Sequence, residues 1–354
     1  MSYKSQWLPY AGLIAAMVLW ASSFVVLKLA FRSYHPMVVI FGRMVVASLC
    51  FLLFANRFRG VRFRKGDWKF ILFMTICEPC LYFIFEAAAL ENTTASQAGM
   101  IAAMLPLMVA VAARLVLKER LSRRTYLGFA IAICGAVWLS GAGKPHAAAP
   151  DPILGNFLEF VAMVCATGYI ITLKQLTARY SPFLLTAFQA FIGSLFYFPL
   201  LLLPSTALPT RWEPTGIMAI LYLGAFISFG AYGLYNFGVS RISVSRASAF
   251  VNLIPVFTLF FGWAILGERF TAVQYVAAGL IFTGIYVSQA TKAERPCLPA
   301  VKQTAPSFRD VDIPAGQLPM EDRKLQLAPL RGTGQEAATS KADHRLPGGF
   351  SQET

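Results

Sequence analysis

The sequence predicts an all-α polytopic membrane protein whose ten transmembrane helices form a 5+5 inverted-topology repeat. Three observations carry this. The 354 residues are 57% hydrophobic and 14% charged, with a mean hydropathy of +0.59, more apolar surface than a water-soluble fold of that length buries. Apolar stretches of bilayer length recur from about residue 8 to residue 290. Finally, Ser96-x-Ala98, Pro106, Leu117, Glu119-Arg120, Tyr126 and Gly135 reappear 149 residues later, without a gap, as Ser245-x-Ala247, Pro255, Leu266, Glu268-Arg269, Tyr275 and Gly284. A repeat with an odd number of spans inserts its two copies upside down relative to each other.

Span 1 (8–31) is too long for a removable signal and lacks a small-residue cleavage site, so it reads as a retained helix. Span 2 (36–55) opens on His35-Pro36, and span 7 (183–203) on Ser181-Pro182. Together with Ser48-Leu49 against Ser194-Leu195 and Lys28 against Lys174, these extend the duplication toward the start of each half, at an offset of 146. Span 3 (69–90) holds two acids and a proline. Spans 4 (95–117) and 9 (244–266) carry Pro106 and Pro255 near their middles, where a proline bends a helix and suggests hinges. Pro79 beside Glu78 predicts a third such bend. Spans 5 (125–142) and 6 (153–173) are separated by the alanine- and proline-rich link 144–152. In span 8 (215–238), Gly224, Gly230, Gly233 and Gly238 allow close helix approach. Span 10 (272–290) starts with Thr271 and, three residues on, Gln274, a capping box. The predicted organisation is a first repeat over 1–143, a linker over 144–152, a second repeat over 153–291 and a disordered cytoplasmic tail over 292–354, whose prolines and mixed charges cannot build a core.

Lysine and arginine set the expected orientation. With the amino terminus cytoplasmic, the inside segments hold Lys4, then Arg57, Arg59, Arg62, Arg64, Lys65 and Lys69, then Lys118, Arg120, Arg123 and Arg124, then Lys174, Arg179, Arg241 and Arg246. The outside loops hold only Arg32, Lys144, Arg211 and Arg269. Both termini are therefore expected inside. The formal charge of +14 reflects this asymmetry and does not point to nucleic acid.

A polar group inside an apolar span must be paired or face water, so those residues mark the expected site. Glu78, Tyr82 and Glu86 stand at i, i+4 and i+8 of span 3, within roughly 80° on one helical face, with Glu86 about 12 Å from Glu78 at about 1.5 Å per residue. Either acid could take a proton or meet a substrate amine. Arg43 of span 2, whose repeat counterpart is Gln189, is the expected partner, either for one of these acids or for a substrate carboxylate. Tyr235 is the counterpart of Glu86 and is followed by Asn236. Asn252 lies one turn before Pro255, and Trp20, Tyr169 and Tyr232 could wall a cavity for an amphipathic or cationic ligand. Lys28 and Lys174 are expected to snorkel to the interface, and the Glu-Arg pairs at 119–120 and 268–269 to lock loops on opposite faces.

Other chemistries leave no pattern. Five of the six cysteines fall in spans, and Cys77-x-x-Cys80 lies in an apolar helix without a second pair, so neither disulfides nor a metal are expected. There is no phosphate loop for a nucleotide-driven pump and no Gly-x-Ser-x-Gly nucleophile. No cofactor and no enzymatic activity are predicted.

Trp20-Ala21-Ser22-Ser23-Phe24 with Lys28, Arg43, Ala95-Ser96-x-Ala98 with Pro106 and Glu119-Arg120-Leu121, and Ala247 with Pro255 and Gly267-Glu268-Arg269-Phe270 resemble the paired EamA domains of the drug/metabolite transporter superfamily. The resemblance covers about 8–290. It implies a ten-helix secondary transporter of the bacterial inner membrane, commonly an exporter of amino acids, metabolites or drugs. Its central cavity would be lined by helices 1, 3, 4, 6, 8 and 9, with helices 5 and 10 peripheral. The small multidrug members of that superfamily use an acid in their first helix, which span 1 lacks, so polycation export by their mechanism is not implied. The expected partners are a small-molecule substrate, the lipid bilayer and protons, with exchange driven by the substrate gradient as the rival to proton coupling. Monomer and homodimer both stay open. A membrane scaffold or sensor is the alternative function, and an intramembrane enzyme the weaker one.

Overall fold

A computed structural model of the chain describes residues 4–58, 61, 63–117 and 123–289. The predicted tail and the Glu119-Arg120 pair lie outside the described residues. Among the described residues the regular structure is helical: α1 (Lys4–Ser33), α2 (Pro36–Leu52), α3 (Asp67–Asn92), α4 (Ala95–Val116), α5 (Arg123–Gly141), α6 (Pro152–Leu176), α7 (Pro182–Leu200), α8 (Pro214–Arg241), α9 (Val244–Leu266) and α10 (Ala272–Gln289). Eight of these are long and apolar enough to cross a membrane, while α2 and α10 are apolar but shorter. Large apolar side chains such as Leu195, Val137 and Phe157 face outward, as the hydrocarbon of a bilayer requires. The chain is a multi-pass membrane protein.

Helix starts follow from local chemistry. Proline opens α2, α6, α7 and α8, where its missing N–H costs nothing. Side chains of Thr94, Asp151 and Ser181 accept from backbone N–H groups in the first turns of α4, α6 and α7. At α10 the capping box forms, with Thr271 N–H donating to Gln274 Oε1 at 2.8 Å and Gln274 N–H to Thr271 Oγ1 at 3.3 Å. Gly267, at φ +69°, ends α9 in a left-handed turn that only glycine adopts at no steric cost.

Four helices are interrupted, in equivalent pairs. Residues Ile76–Leu81 of α3 and Leu223–Ala231 of α8 widen into π turns, and they overlap under the 149-residue offset. In α4 the helix lapses at Ala103 and Met104, just before Pro106, and in α9 it tightens to 3-10 over Phe250–Leu253, just before Pro255.

The repeat is written into the packing as reciprocal contacts. Ser48 Oγ lies 3.0 Å from Ser194 Oγ, its own counterpart 146 residues on. Tyr34, closing α1, takes the Glu213 N–H at 2.7 Å, while its counterpart Tyr180, closing α6, donates to Asp67, the counterpart of Glu213, at 2.9 Å. Helix α5 packs extensively on α10. A Cβ placed on Gly284 would stand 2.5 Å from Gly128 O, and one on Gly135, the counterpart of Gly284, 3.0 Å from Ala277 O. Residues i and j′ touching wherever i′ and j touch is the mark of a two-fold relation between the halves.

Candidate functional site

The interrupted helices border a small central cavity of about 40 Å³. Its walls come from α1 (Trp20, Ser23, Phe24), α3 (Glu78, Tyr82, Phe83, Glu86), α4 (Ala102, Leu105), α6 (Met163, Ala166, Tyr169, Ile170), α8 (Ile227, Tyr232) and α9 (Val251, Ile254), with Arg43 reaching in from α2. Helices α5 and α10 contribute nothing to it.

The acids of α3 do not share one face of a continuous helix. Glu78 has φ −150° and ψ 118°, an extended residue inside the helix, and its bond to Pro79 is cis. Proline at 79 cannot donate to the ladder and disfavours helical geometry at the residue before it, so the turn opens and the Glu78 side chain points into the cavity by a route the i, i+4 rule does not describe. The carbonyls freed by the break are taken by the other repeat. Gln189 Nε2 donates to Glu78 O at 3.1 Å, and Tyr197 Oη reaches Pro79 O at 3.0 Å and Cys80 O at 2.5 Å.

Arg43 is almost fully buried, 1% exposed. Its Nε donates to Ser228 Oγ at 3.0 Å, its guanidinium lies 4.2 Å over the Phe83 ring, and Nη1 stands 4.0 Å from Glu86 Oε2. The last distance is an ion pair without a hydrogen bond, so Arg43 neutralises Glu86 while Ser228 and Phe83 hold its orientation. Glu86 Oε1 takes the Tyr82 hydroxyl at 2.9 Å. Ser228 is the counterpart of Pro79. Arg43 and Gln189, themselves counterparts, each therefore reach into the interrupted helix of the opposite half.

Glu78 Oε1 accepts from Tyr232 Oη, and Glu78 Oε2 is buried without a partner. Trp20 packs at 5.1 Å from Tyr232 and 4.7 Å from Tyr235, with its indole N–H unpartnered. One aromatic wall thus stands beside a half-satisfied carboxyl.

Of the sequence-predicted residues, Trp20, Arg43, Glu78, Tyr82, Glu86 and Tyr169 come together in this cavity. Tyr235, Asn236 and Asn252 are not among its lining residues. Asn236 lies behind the wall, accepting from Tyr169 Oη and donating to Thr186 Oγ1 at 2.8 Å and Gln189 Oε1 at 3.2 Å. Lys28 and Lys174 end on backbone carbonyls, of Ala148 for the first and of Val239 and Ile242 for the second. Sequence reasoning missed Glu159 of α6, fully buried with both carboxyl oxygens unpartnered. The signal was available, because Glu159 is an acid inside an apolar span and Asn156 stands one turn before it.

The family model of the EamA-like transporter family matches this chain twice, over residues 7–141 and 153–289. The chain belongs to the EamA-like transporter family. Its two EamA repeats are the two halves that exchange contacts above, and the central cavity lies where they meet. Among relatives, an uncharacterized transporter of Bacillus subtilis (strain 168), YetK, is 26% identical over 306 residues, covering 85% of this chain and 92% of its own. A protein of Streptantibioticus cattleyicolor named "Probable terminal-alkyne amino-acid exporter" is 25% identical over 275 residues, covering 77% and 91%. A solved crystal structure aligns with a TM-score of 0.59 at 17% identity over 81% of this chain and 97% of that one, which shows a common fold.

Proposed function

We propose that this EamA protein is a secondary active transporter that exports small metabolites, amino acids or drug-like compounds across a bacterial inner membrane by alternating access, coupled to protons. All ten helices cross the bilayer in this reading, the repeats are inverted, and both termini are cytoplasmic, following the lysine and arginine bias. The observation that carries it is the cavity at the repeat interface, where one arginine and two acids sit among aromatic rings inside apolar helices. Such groups are costly unless they bind something.

Glu78 suits a substrate amine, since one of its oxygens has no partner, and Trp20 with Tyr232 offers an apolar face beside it. An amino acid or an amphipathic amine satisfies both, and the amino-acid exporter named among the relatives fits that class. Pro79, Pro106 and Pro255 would serve as hinges next to the interrupted turns. Protein reconstituted in vesicles with an imposed pH gradient tests the proposal, by screening flux of amino acids, cationic dyes and sugar nucleotides. Glu78→Gln and Glu86→Gln are expected to abolish proton-driven flux. Unchanged flux and unchanged pH dependence in both variants would remove proton coupling, and folded protein that moves no substrate under any gradient would remove transport.

A further inference from the structure

Glu159 is 0% exposed, neither of its carboxyl oxygens has a hydrogen-bond partner, and it does not line the central cavity. An ionised carboxylate so placed would have lost its water and gained nothing, whereas the neutral acid fits.

Its position along α6 gives this acid a use. One turn before it, Asn156 Nδ2 donates to Gln97 Oε1 at 2.9 Å and Ser140 Oγ at 3.1 Å. Gln97 in turn lines a second cavity of about 280 Å³, walled also by Lys28, Lys144 and Arg269. One turn after Glu159, Met163 lines the central cavity. Asn156, Glu159 and Met163 share a helix face, rising about 4.5 Å and then about 6 Å at about 1.5 Å per residue. Glu159 therefore stands between a polar cluster at the edge of one cavity and the wall of the other. Of the helices packed against α6, α3 presents the titratable groups that interact electrostatically with Glu159, namely Glu86 and Tyr82, while none presents it a hydrogen bond.

We propose that Glu159 is a proton-binding site, an intermediate stop between the outer cavity at Gln97 and Glu86 in the central cavity. Arg43 neutralises one negative charge, so Glu86 and Glu159 together hold one proton. In the transfer, the O–H bond of Glu159 breaks and its proton adds to the Glu86 carboxylate, and the Glu159 carboxylate then takes a proton from water of the outer cavity. No hydrogen bond joins Glu159 to either neighbour in this conformation, so the step requires α3 to shift against α6. That requirement would tie proton passage to the conformational cycle. The relay rests on the proton-coupled transport reading, whereas protonation of Glu159 stands without it.

Three measurements on the full-length protein in lipid vesicles test the two parts. Infrared spectra at neutral pH should contain a protonated-carboxyl band that Glu159→Gln removes, and dicyclohexylcarbodiimide, which modifies protonated carboxyls in apolar surroundings, should label the wild-type peptide carrying Glu159. Proton entry followed by an internal pH dye should fall at least tenfold in Glu159→Gln and recover in part in Glu159→Asp. An unchanged band with no label at Glu159 overturns the site, and should Glu159→Gln fail to fold, the label on wild-type protein decides alone. A lost band with wild-type proton flux overturns the relay. Wild-type protein that moves no protons under any gradient overturns the proton-coupled reading and the relay with it, and the band and label still decide the site.

Discussion

Ser48 and Ser194 hydrogen-bond to each other at 3.0 Å although they are the same position of two successive repeats. A residue can touch its own counterpart only close to the axis that relates the halves, so α2 and α7 cross at that axis. The same crossing lets Arg43 and Gln189 each enter the other half's interrupted helix. From this arrangement the central site inherits its asymmetry, since one such position is a cation and the other an amide.

Arg43→Ala should be strongly destabilising, because it leaves Glu86 buried beside nothing that neutralises it. Loss of about 3 kcal/mol is expected for removing one member of a buried pair. The double variant Arg43→Ala/Glu86→Gln should recover at least about 1 kcal/mol of that loss. Thermal unfolding in detergent across the four-protein cycle measures the coupling, and additive losses would show that the 4.0 Å pair is inert.

Tyr197→Phe removes the hydroxyl that serves two carbonyls at the α3 interruption. Unsatisfied buried acceptors cost about 1–3 kcal/mol, and the melting temperature should fall accordingly while overall helix content stays unchanged. A melting point equal to wild type would mean that water or a shifted helix serves those carbonyls equally well.

Glu268 Oε1 and Oε2 accept from the Ala95 and Ser96 N–H groups at 2.9 Å each, tying the loop after α9 to the first turn of α4. Carboxylates at a helix start also interact favourably with its dipole. Glu268→Ala should free that end of α4, raising the rate at which a cysteine introduced at Ser96 reacts with a water-soluble thiol reagent. Equal rates with and without Glu268 would show that the contact does not hold this region closed.

Gly284→Leu places a side chain where the Gly128 carbonyl already stands, so overpacking of about 1–3 kcal/mol or separation of α5 from α10 is expected. Gly279→Ala on the same helix meets nothing within 4 Å and should be neutral or stabilise by about 0.5–1 kcal/mol, as alanine suits a helix better than glycine. Size-exclusion profiles and melting temperatures of the two variants make the comparison.

Much of this was legible beforehand because membranes penalise stray polarity. The duplication, the paired prolines and the convergence of Arg43, Glu78, Tyr82 and Glu86 all follow from residue type and spacing. The extended conformation of Glu78 did not, since Pro79 announces an interruption without saying which way the chain turns. Nor did the roles of Ser228 and Tyr197, ordinary residues whose task is assigned by a helix 117 or more residues away in sequence. Asn252 fell outside the cavity lining because the 3-10 turn before Pro255 sends Val251 and Ile254 inward instead.

The contact of Gly128 with Gly284 also sets an order of events during synthesis. Helix α5 is finished while everything from α6 onward is still to be made, and its backbone groove must face lipid or some temporary companion until residue 284 leaves the ribosome. The first half is therefore born with an open seam that only the end of the second half closes. A chain cut short before α10 would keep that seam, offering quality-control proteases a lasting sign of incompleteness that a full-length chain hides.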